Sequence, residues 1–392
     1  MFDTIVVSAH VSDDVKLTSV TVTLVDMNNI PREFTVNVPI SGKDFSFSIK
    51  YVLSEFRLTT GNYQISIMAN DGSNSHQGTQ KIFIIESPTV KTGYAIVGAS
   101  LPKIIGKYDT LFASTGTITL NTGFNGMALG GYNQQLYING NINQAFQAYD
   151  IQSGTPVWTV PYTGGGGSAQ FMGVWSDGQK PYVSYYSGNV LSYSNSGQSV
   201  KTYTNSATGY YISYFNFGST YDMAVIKDKF NTGPDKLVSF YNSSGVALNS
   251  NFAPCTVMGI FEKQFDQFYI LGNDINGKAV FSVYDATANT CTPVTNLASG
   301  KMLSAVQVDS DFMIFSCADG NVYGFRYSNS NVLPMASVVA QKLFYQPKMK
   351  ELTASANNKL YVYSVSGNYS LTQTKMQVLT DSIIGFEVIT NK

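Results

Sequence analysis

The stretch FMGVWSDGQKPYVSYYSGNVLSYSNSG, residues 171–197, decides the fold. It holds three short segments rich in aromatic and β-branched side chains, FMGVW at 171–175, KPYVSYY at 180–186 and VLSYSNSG at 190–197. Gly, Asp, Ser and Asn lie between and after them, and these residue types favour tight turns. Short apolar runs bounded by such turns predict β-strands. We therefore expect the stretch to form consecutive antiparallel strands.

The same arrangement recurs through most of the chain. A strand-like segment with an aromatic or long aliphatic residue near its middle returns at steps of 45, 42, 44, 45 and 48 residues, marked by Tyr137, Tyr182, Ala224, Phe268, Met313 and Tyr361. Further strand-like segments before and after each mark give four strands in a unit of about 45 residues. That is the size of a β-propeller blade.

The two ends of the repeated region supply one more unit. Six units are legible between residues 125 and 380, and Ile383–Ile389 reads as the first strand of a seventh. Pairing of the chain ends is favoured because a closed ring leaves no open sheet edge. Residues 93–392 are predicted to form one seven-bladed β-propeller, with six blades as the alternative. The remaining strands of the seventh unit are expected from Tyr94–Ala99, Thr110–Ala113 and Thr117–Asn121.

Short segments in which apolar and polar side chains alternate fill residues 1–88, such as VTVTL at 20–24 and FSFSIKY at 45–51. A period of two indicates strands with one buried side and one side in water. Six such strands, separated by turn clusters, predict an immunoglobulin-like β-sandwich. The predicted fold class is therefore all-β, with a sandwich at 1–88 followed by the propeller at 93–392.

Two segments resemble known families. LTTGNYQISIMANDG, from Leu58 to Gly72, resembles the corner and following strand of immunoglobulin-like, fibronectin-type and cadherin-like bacterial domains. In those families a corner tyrosine packs inward and bonds nearby backbone, and the resemblance gives this role to Tyr63. FQAYDIQSGTPVWTV, residues 146–160, resembles the repeat of quinoprotein propellers, and the matching residues are Asp150, Ser153, Gly154 and Trp158.

The quinoprotein resemblance stops at this one unit, because no second Trp closes another blade. It therefore does not imply a bound quinone. WD-repeat proteins are a weaker match, because no Trp-Asp pair occurs. The succession of the two domain types resembles bacterial cell-surface or envelope lipoproteins, and this resemblance implies a spacer or docking role for the sandwich.

Composition restricts the partner and the compartment. Only 12% of residues are charged and the net charge is −1. Nucleic-acid binding needs clustered cations, so no nucleic-acid partner is expected. No apolar run reaches the length of about 18 residues that a transmembrane span needs. The low charge and the abundant Ser, Thr, Asn and Tyr favour an extracytoplasmic bacterial protein, in the periplasm or on the outer surface, from which a leader or lipid anchor was removed. A cytosolic protein is the alternative.

Residues that catalysis or metal binding would need are scarce. The two histidines, His10 and His76, both precede the repeat, so a serine nucleophile within the repeat would lack its usual base. Glu is sparse and Asp falls mostly in turns, whereas glycosidases need paired carboxylates. Cys255, Cys291 and Cys317 are too far apart for a zinc site and are expected to be small buried side chains. We predict no catalytic residue, metal site or cofactor.

A non-catalytic function is the favoured hypothesis. A propeller face would recognise a glycan, peptide or protein partner at the cell envelope, or the propeller would serve as a rigid platform in an envelope complex. The alternative is a hydrolase or lyase that acts on polysaccharide with Asp side chains and a divalent metal ion. Propellers host unrelated functions, so the fold does not decide among these.

A ligand is predicted to bind on the face that carries the connections between blades and the turns from second to third strand. Aromatic rings beside amides and charged groups suit sugars or extended peptides. Ser337–Thr353 is expected to be the longest connection between blades and to overhang this face. Gly164–Gly167 is expected to be a flexible loop there. The candidate ligand-binding residues are Tyr210, Tyr211, Asp274, Lys301, Asp319, Tyr345 and Lys348.

Overall fold

The computed structural model describes residues 4–27, 29, 31–52, 58, 60–86, 88–121, 123–140, 144–163, 171–205, 207–230, 233–253, 256–298 and 300–391, with the backbone alone at 33, 34, 52 and 247–252. These residues form an all-β structure of 34 strands, with 3₁₀ turns at Gly131–Asn133 and Tyr327–Asn329. No helix in these ranges is long and apolar enough to cross a membrane. Contacts divide the chain into two compact units, Met1–Pro88 and Thr89–Lys392.

The first unit has six strands, β1 (Thr4–Ser12), β2 (Ser19–Asp26), β3 (Pro31–Val38), β4 (Asp44–Val52), β5 (Gly61–Asn70) and β6 (Ser75–Ile84). They form two antiparallel sheets. The larger sheet has the order β3-β2-β5-β6, and the smaller sheet pairs β1 with β4.

One hydrophobic core joins the two sheets of the first unit. Val20, Val22 and Leu24 on β2 are buried in the same cluster as Val7 of β1 and Phe45 of β4. Alternate residues point inward because successive side chains of a strand face opposite sides of its sheet. Tyr63 on β5 is also buried in this cluster, with 7% of its surface exposed. Its inward packing agrees with the role that the corner resemblance implies.

In the second unit the described residues form seven antiparallel sheets of four strands. It opens with β7 (Lys91–Gly98), β8 (Ile104–Tyr108) and β9 (Ser114–Thr119). In the next six sheets the strands pair in chain order. The first two of these sheets consist of β10 (Phe124–Gly130), β11 (Gln135–Gly140), β12 (Phe146–Asp150) and β13 (Pro156–Val160), and of β14 (Phe171–Ser176), β15 (Pro181–Tyr185), β16 (Val190–Tyr193) and β17 (Ser199–Tyr203). The next two consist of β18 (Tyr210–Asn216), β19 (Tyr221–Asp228), β20 (Lys236–Tyr241) and β21 (Ala247–Phe252), and of β22 (Thr256–Gln264), β23 (Gln267–Asn273), β24 (Ala279–Asp285) and β25 (Thr290–Ala298). The last two consist of β26 (Met302–Gln307), β27 (Phe312–Cys317), β28 (Val322–Arg326) and β29 (Asn331–Ala336), and of β30 (Lys342–Gln346), β31 (Glu351–Ala356), β32 (Lys359–Val365) and β33 (Leu371–Val378).

The last strand, β34 (Ile383–Thr390), joins the two ends of the unit. It pairs antiparallel with β7, and the resulting sheet has the order β34-β7-β8-β9. The first strands of neighbouring sheets also contact one another: β10 lies against both β14 and β34, and β26 lies against β22 and β30. Many four-stranded antiparallel sheets, arranged with their first strands together, are consistent with a β-propeller.

One predicted strand of this closing sheet is wrong. Thr110–Ala113 forms a turn, and the strand lies earlier, at β8. The Asp109 carboxylate accepts the backbone N–H groups of Leu111 and Ala113 at 2.8 and 2.9 Å, and Phe112 takes a left-handed φ of 65°. A side chain that bonds its own backbone in this way competes with strand pairing and fixes a turn.

Six of the seven first strands carry a β-bulge near their start, at Phe124/Gly126, Phe171/Gly173, Ile212/Tyr214, Val257/Gly259, Met302/Ser304 and Ile383/Gly385. Four of these bulges end on glycine, and close packing explains why. A Cβ atom at Gly126 would lie 2.7 Å from the Asn139 side chain, and one at Gly173 would lie 2.6 Å from the Trp175 ring. These four bulges therefore need a residue without a side chain, because the neighbouring side chains pack closely there.

The segment that resembles a quinoprotein repeat packs between two sheets. The Asp150 carboxylate accepts the backbone N–H and the hydroxyl of Ser153 at 2.7 and 2.8 Å, which fixes the turn before β13. Trp158 on β13 then contacts Phe146 edge-on and stacks on Tyr193 of the next sheet, with ring centroids 5.3 and 6.0 Å apart. The indole thus connects consecutive sheets through an aromatic cluster.

The closing strand provides a direct stability test. Phe386→Ala removes a ring that is 1% exposed, so we expect the free energy of unfolding to fall by about 3–5 kcal/mol. Ile384→Ala on the same strand is the control, because Ile384 is 47% exposed and should cost less than about 1 kcal/mol. Urea denaturation followed by tryptophan fluorescence measures both, since Trp158 and Trp175 lie in the second unit. Equal losses would contradict the closing role of β34.

Candidate functional site

Strand direction divides the loops of the second unit between two sides. Each first strand begins where the second strand ends, as Tyr210 of β18 pairs with Asp228 of β19. The connections into first strands and the turns between second and third strands therefore share one side, which we call the front side. The turns between first and second strands and between third and fourth strands share the other, the back side. Contacts between neighbouring sheets agree, because Tyr186 in a front-side turn lies against Tyr211 at the start of β18.

Five of the seven candidate residues lie on the front side. Tyr210 and Tyr211 begin β18, and Lys301 directly precedes β26. Asp274 and Asp319 lie in the turns that follow the second strands β23 and β27. The backbone of Lys301 lies beside the start of the turn that holds Asp319, because its carbonyl accepts the N–H of Ala318 at 2.8 Å. Gly164–Gly167 lies outside the described residues.

The remaining two candidates, Tyr345 and Lys348, lie on the back side, so their predicted place was wrong. Ser337–Thr353 is not one long connection, because it contains the first strand β30 and the start of β31. Tyr345 lies near the end of β30, and Lys348 lies in the turn from β30 to β31. The sequence analysis predicts an overhanging loop here, but Leu343 and Tyr345 belong to a strand that packs into the core. Tyr345 instead packs against the core of its own sheet and lies close enough to Asp309 to have its pKa raised, mainly by burial and secondarily by that carboxylate.

The front-side tyrosines form part of an aromatic and cationic cluster. Tyr211 stacks on Tyr186 with centroids 6.5 Å apart and planes at 21°. The ammonium group of Lys229 lies 4.5 Å from the centre of the Tyr186 ring, and that of Lys236 lies 4.1 Å from the centre of the Tyr210 ring. We call these five residues the tyrosine–lysine cluster. A cation over an aromatic face is attracted by the ring quadrupole, so the rings and ammonium groups hold one another in place.

Burial sets the electrostatics next to this cluster. Asp235 is buried, and its carboxylate accepts the backbone N–H of Val257 at 2.9 Å. Burial raises the pKa of Asp235, and the Val257 bond and the Lys227 charge oppose that rise. Burial also raises the pKa of Tyr211, with smaller contributions from Asp235 and Tyr186. The Tyr211 hydroxyl therefore stays protonated well above neutral pH and remains a hydrogen-bond donor.

Sequence reasoning found two members of this cluster and missed three. Tyr186 comes from one sheet, and Lys229 and Lys236 come from the next, so sequence spacing does not reveal that Lys229 lies over the Tyr186 ring. The available signal was the position of each residue within its unit. Tyr186 and Lys229 both come directly after a second strand, and such residues meet on the front side.

The front-side carboxylates serve their own turns. One Asp274 oxygen accepts the backbone N–H groups of Asn276 and Lys278, both at 2.8 Å. Asp319 accepts the N–H of Asn321 at 3.1 Å and the hydroxyl of Tyr323 at 2.7 Å. Asp and Asn side chains commonly close turns in this way. These contacts give both residues a structural role that is independent of any ligand.

A recess of about 250 Å³ lies among the first strands β10, β14, β30 and β34. Trp175, Phe124 and Ile384 supply apolar walls, and Lys342 supplies a cation. The ammonium group of Lys342 donates to the Phe386 carbonyl at 2.9 Å and to the Glu387 carboxylate at 3.2 Å. The Glu387 carboxylate therefore offsets the charge of Lys342 in this recess.

The described residues contain no group of three or more His, Cys, Asp or Glu side chains that could hold a metal ion. Cys317 is buried and Cys291 is half-buried, and burial raises their thiol pKa values to about 12 and about 11. Both thiols therefore stay protonated at neutral pH and pack as small side chains. Cys255 lies outside the described residues.

Comparison with solved structures finds similar folds at low sequence identity. A protein from Lactobacillus plantarum aligns with a TM-score of 0.58 and 12% identity, over 76% of this chain and 99% of the other. Kuenenia stuttgartiensis hydrazine synthase aligns with a TM-score of 0.52 and 10% identity, over 70% of this chain and 90% of the other. At such identities these two similarities concern the fold alone.

A looser similarity, to BamB from Moraxella catarrhalis, has a TM-score of 0.47 and 13% identity, over 76% of this chain and 91% of the other, and is too weak to support an inference. No protein-family model matches the chain, and no curated protein matches its sequence. The function must therefore be argued from the residues of this chain.

The turn role of Asp274 can be separated from a role of its charge. Asp274→Ala removes both bonds to the turn, so we expect faster hydrogen exchange at the amides of Asn276 and Lys278, with a local loss of about 0.5–1.5 kcal/mol per bond. Asp274→Asn keeps an acceptor oxygen and should exchange almost as slowly as the wild type. Fast exchange in Asp274→Asn as well would mean that the charge, rather than the hydrogen bonds, holds the turn.

Proposed function

We propose that this chain is a non-catalytic binding protein of an extracytoplasmic bacterial compartment, and that it recognises a protein partner through the front side of its second unit. In this proposal residues 93–392 form a closed seven-bladed propeller, and residues 1–88 form an immunoglobulin-like sandwich that serves as a spacer or docking module. The observation that carries the proposal is the tyrosine–lysine cluster, which presents rings and cations on one side of the unit.

Tyrosine rings with ammonium groups beside them suit recognition of a protein surface. Tyr and Trp supply large contact areas with few rotatable bonds, and their polar groups keep hydrogen-bonding capacity. Here the rings are half-buried and ammonium groups already lie over them. Binding a partner would therefore cost little side-chain entropy. The ammonium groups of Lys229 and Lys236 would favour a partner segment that carries carboxylates.

Exposed apolar side chains near the cluster favour a protein partner over a glycan. Phe230 directly follows Lys229 in a front-side turn and is 79% exposed. Ile275 occupies the corresponding turn of the next sheet and is 98% exposed. A large apolar side chain that is exposed alone at a turn tip destabilises the protein little, and burying it under a partner is favourable. Two such tips on the same side of the unit as the preordered tyrosines would give an interface apolar anchors and a polar surround.

The compartment is supported by composition. The charged fraction is 12%, and the surface polarity comes mainly from Ser, Thr, Asn, Gln and Tyr. The partner is accordingly expected at the cell envelope, as another protein of that compartment.

Front-side substitutions test the binding surface. Tyr211→Ala removes the stacked ring and Phe230→Ala removes the exposed tip, so each should weaken capture of an envelope protein by about tenfold or more. Phe265→Ala is the matched control. Phe265, like Phe230, is an exposed phenylalanine in a turn, with 63% of its surface exposed, but its turn lies on the back side, between β22 and β23. Immobilised wild type and the three variants would be compared on one envelope extract, with captured proteins quantified by mass spectrometry.

The expected result is one partner that wild type and Phe265→Ala retain and that both front-side variants lose. Equal capture by all four proteins would reject the front side as the binding surface. Binding to immobilised glycans that Tyr211→Ala abolishes and Phe230→Ala leaves intact would instead identify a carbohydrate ligand at the same rings.

A further inference from the structure

The first unit contains a groove that its two sheets leave open. A cavity of about 470 Å³ lies between the end of β1 and the paired strands β5 and β6. Val11 supplies one apolar wall, and Ile65 and Ile67 supply another. Both histidines of the chain, His10 and His76, also line it, and none of its lining residues is Lys, Arg, Asp or Glu.

The groove exists because the two sheets differ in width. Four strands lie in the larger sheet and two in the smaller. β1 shares the groove with β5 and β6, so β6 is the strand that projects beyond the smaller sheet. His76, Gly78 and Gln80 pair with the inward-facing residues of β5 and are exposed, whereas Ile84 farther along β6 is buried. The uncovered strip is therefore about one strand wide, which is roughly 4.8 Å by ordinary sheet spacing.

The strand that borders this strip has an unprotected edge. β1 pairs with β4 through nine consecutive residue pairs without a bulge, and within the described ranges its other edge has no partner strand. Its sequence, TIVVSAHVS, contains no Lys, Pro or acidic residue. Natural edge strands usually carry charges, prolines or bulges that prevent further pairing. β1 has none of these devices, so its backbone groups can pair with an added strand.

We propose that an extended peptide segment of a partner protein binds as a third strand along β1 and covers the groove. Backbone hydrogen bonds to β1 would supply affinity, and side chains on alternate positions would enter the groove beside Ile65, Ile67 and Val11. The lack of charge in the groove walls determines which side chains can enter. Since the walls carry no Lys, Arg, Asp or Glu, a charged side chain placed there would lose hydration without meeting an opposite charge from any of these residue types. The segment is therefore uncharged and apolar on its inward face.

The shape of the groove favours a free segment over a second copy of this chain. A second copy that paired through its own β1 would bring its own four-stranded sheet to the same side of the extended smaller sheet. In each copy β6 projects past β1. The two β6 strands would therefore overlap in a strip that is wide enough for one strand only. A segment without an attached second sheet avoids this clash.

A labelled peptide with the β1 sequence, residues 4–12, provides the probe, because it is uncharged and places Ile5, Val7, Ala9 and Val11 on one face. Fluorescence anisotropy should show saturable binding to the full chain. Gly78→Phe should weaken binding by about tenfold or more, because a Cβ at Gly78 meets nothing within 4 Å and the ring would occupy the groove without displacing the core. Hydrogen exchange of the β1 amides should slow when the peptide binds.

Gly61→Val on β5 is the matched control, since a Cβ at Gly61 also meets nothing within 4 Å and Gly61 does not line the groove. It should bind the peptide like the wild type. A second peptide with Val7→Asp and Val11→Asp should not bind. The proposal is overturned if the wild type shows no saturable binding, if Gly78→Phe binds equally well, or if the aspartate peptide binds as tightly. These results are independent of the front side, because Tyr211→Ala should leave peptide binding unchanged.

Discussion

The backbone pairing of β34 with β7 is the contact on which the second unit depends. It brings together residues almost 300 positions apart, and without it β7 would be an open edge of a three-stranded sheet. Side chains near the two ends of β7 make further contacts with residues that come much later in the chain. The Lys91 ammonium contacts the Glu351 carboxylate at 2.6 Å on the back side, and Asp381 accepts the Ser100 N–H at 2.6 Å on the front side. Closing so long a loop is entropically costly, so the seam needs this concentration of contacts.

Within the sheets of the second unit, many polar side chains bond the backbone of their own turns. Aspartates such as Asp150, Asp274 and Asp309 accept N–H groups of their own turns, and glycines such as Gly126 and Gly173 allow the bulges of the first strands. A chain of many short strands has many turns, and each turn leaves backbone groups that need partners. These carboxylates therefore have a structural role in their own turns.

The two proposed binding surfaces use different physical means. The front side of the second unit offers preordered rings, cations and exposed apolar tips, and such a surface selects a partner by its side chains. The groove of the first unit offers an unprotected backbone edge, and such an edge selects a partner by its extended conformation and then by alternate side chains. The two proposals therefore assign independent contacts to the two units.

Strand periods, turn residues and the repeat were local features, and the sequence alone was enough to interpret them. The alternation at 20–24 and 45–51 corresponds to β2 and β4, and the strand-like segments marked by Tyr137, Tyr182 and Phe268 correspond to second strands of consecutive sheets. The repeat also placed Tyr210 and Tyr211 at the start of a first strand. These successes rest on side-chain alternation and turn chemistry, which neighbouring residues determine.

Tertiary structure decided the features that depend on contacts beyond the local sequence pattern. Thr110–Ala113 became a turn because Asp109 bonds it, and the apolar residues around Tyr345 became the first strand β30 because neighbouring sheets bury them. The stack of Tyr186 on Tyr211 joins two sheets, and the groove beside β1 results from the unequal widths of two sheets. Neither can be read from spacing along the chain, because each depends on which strands become neighbours in space.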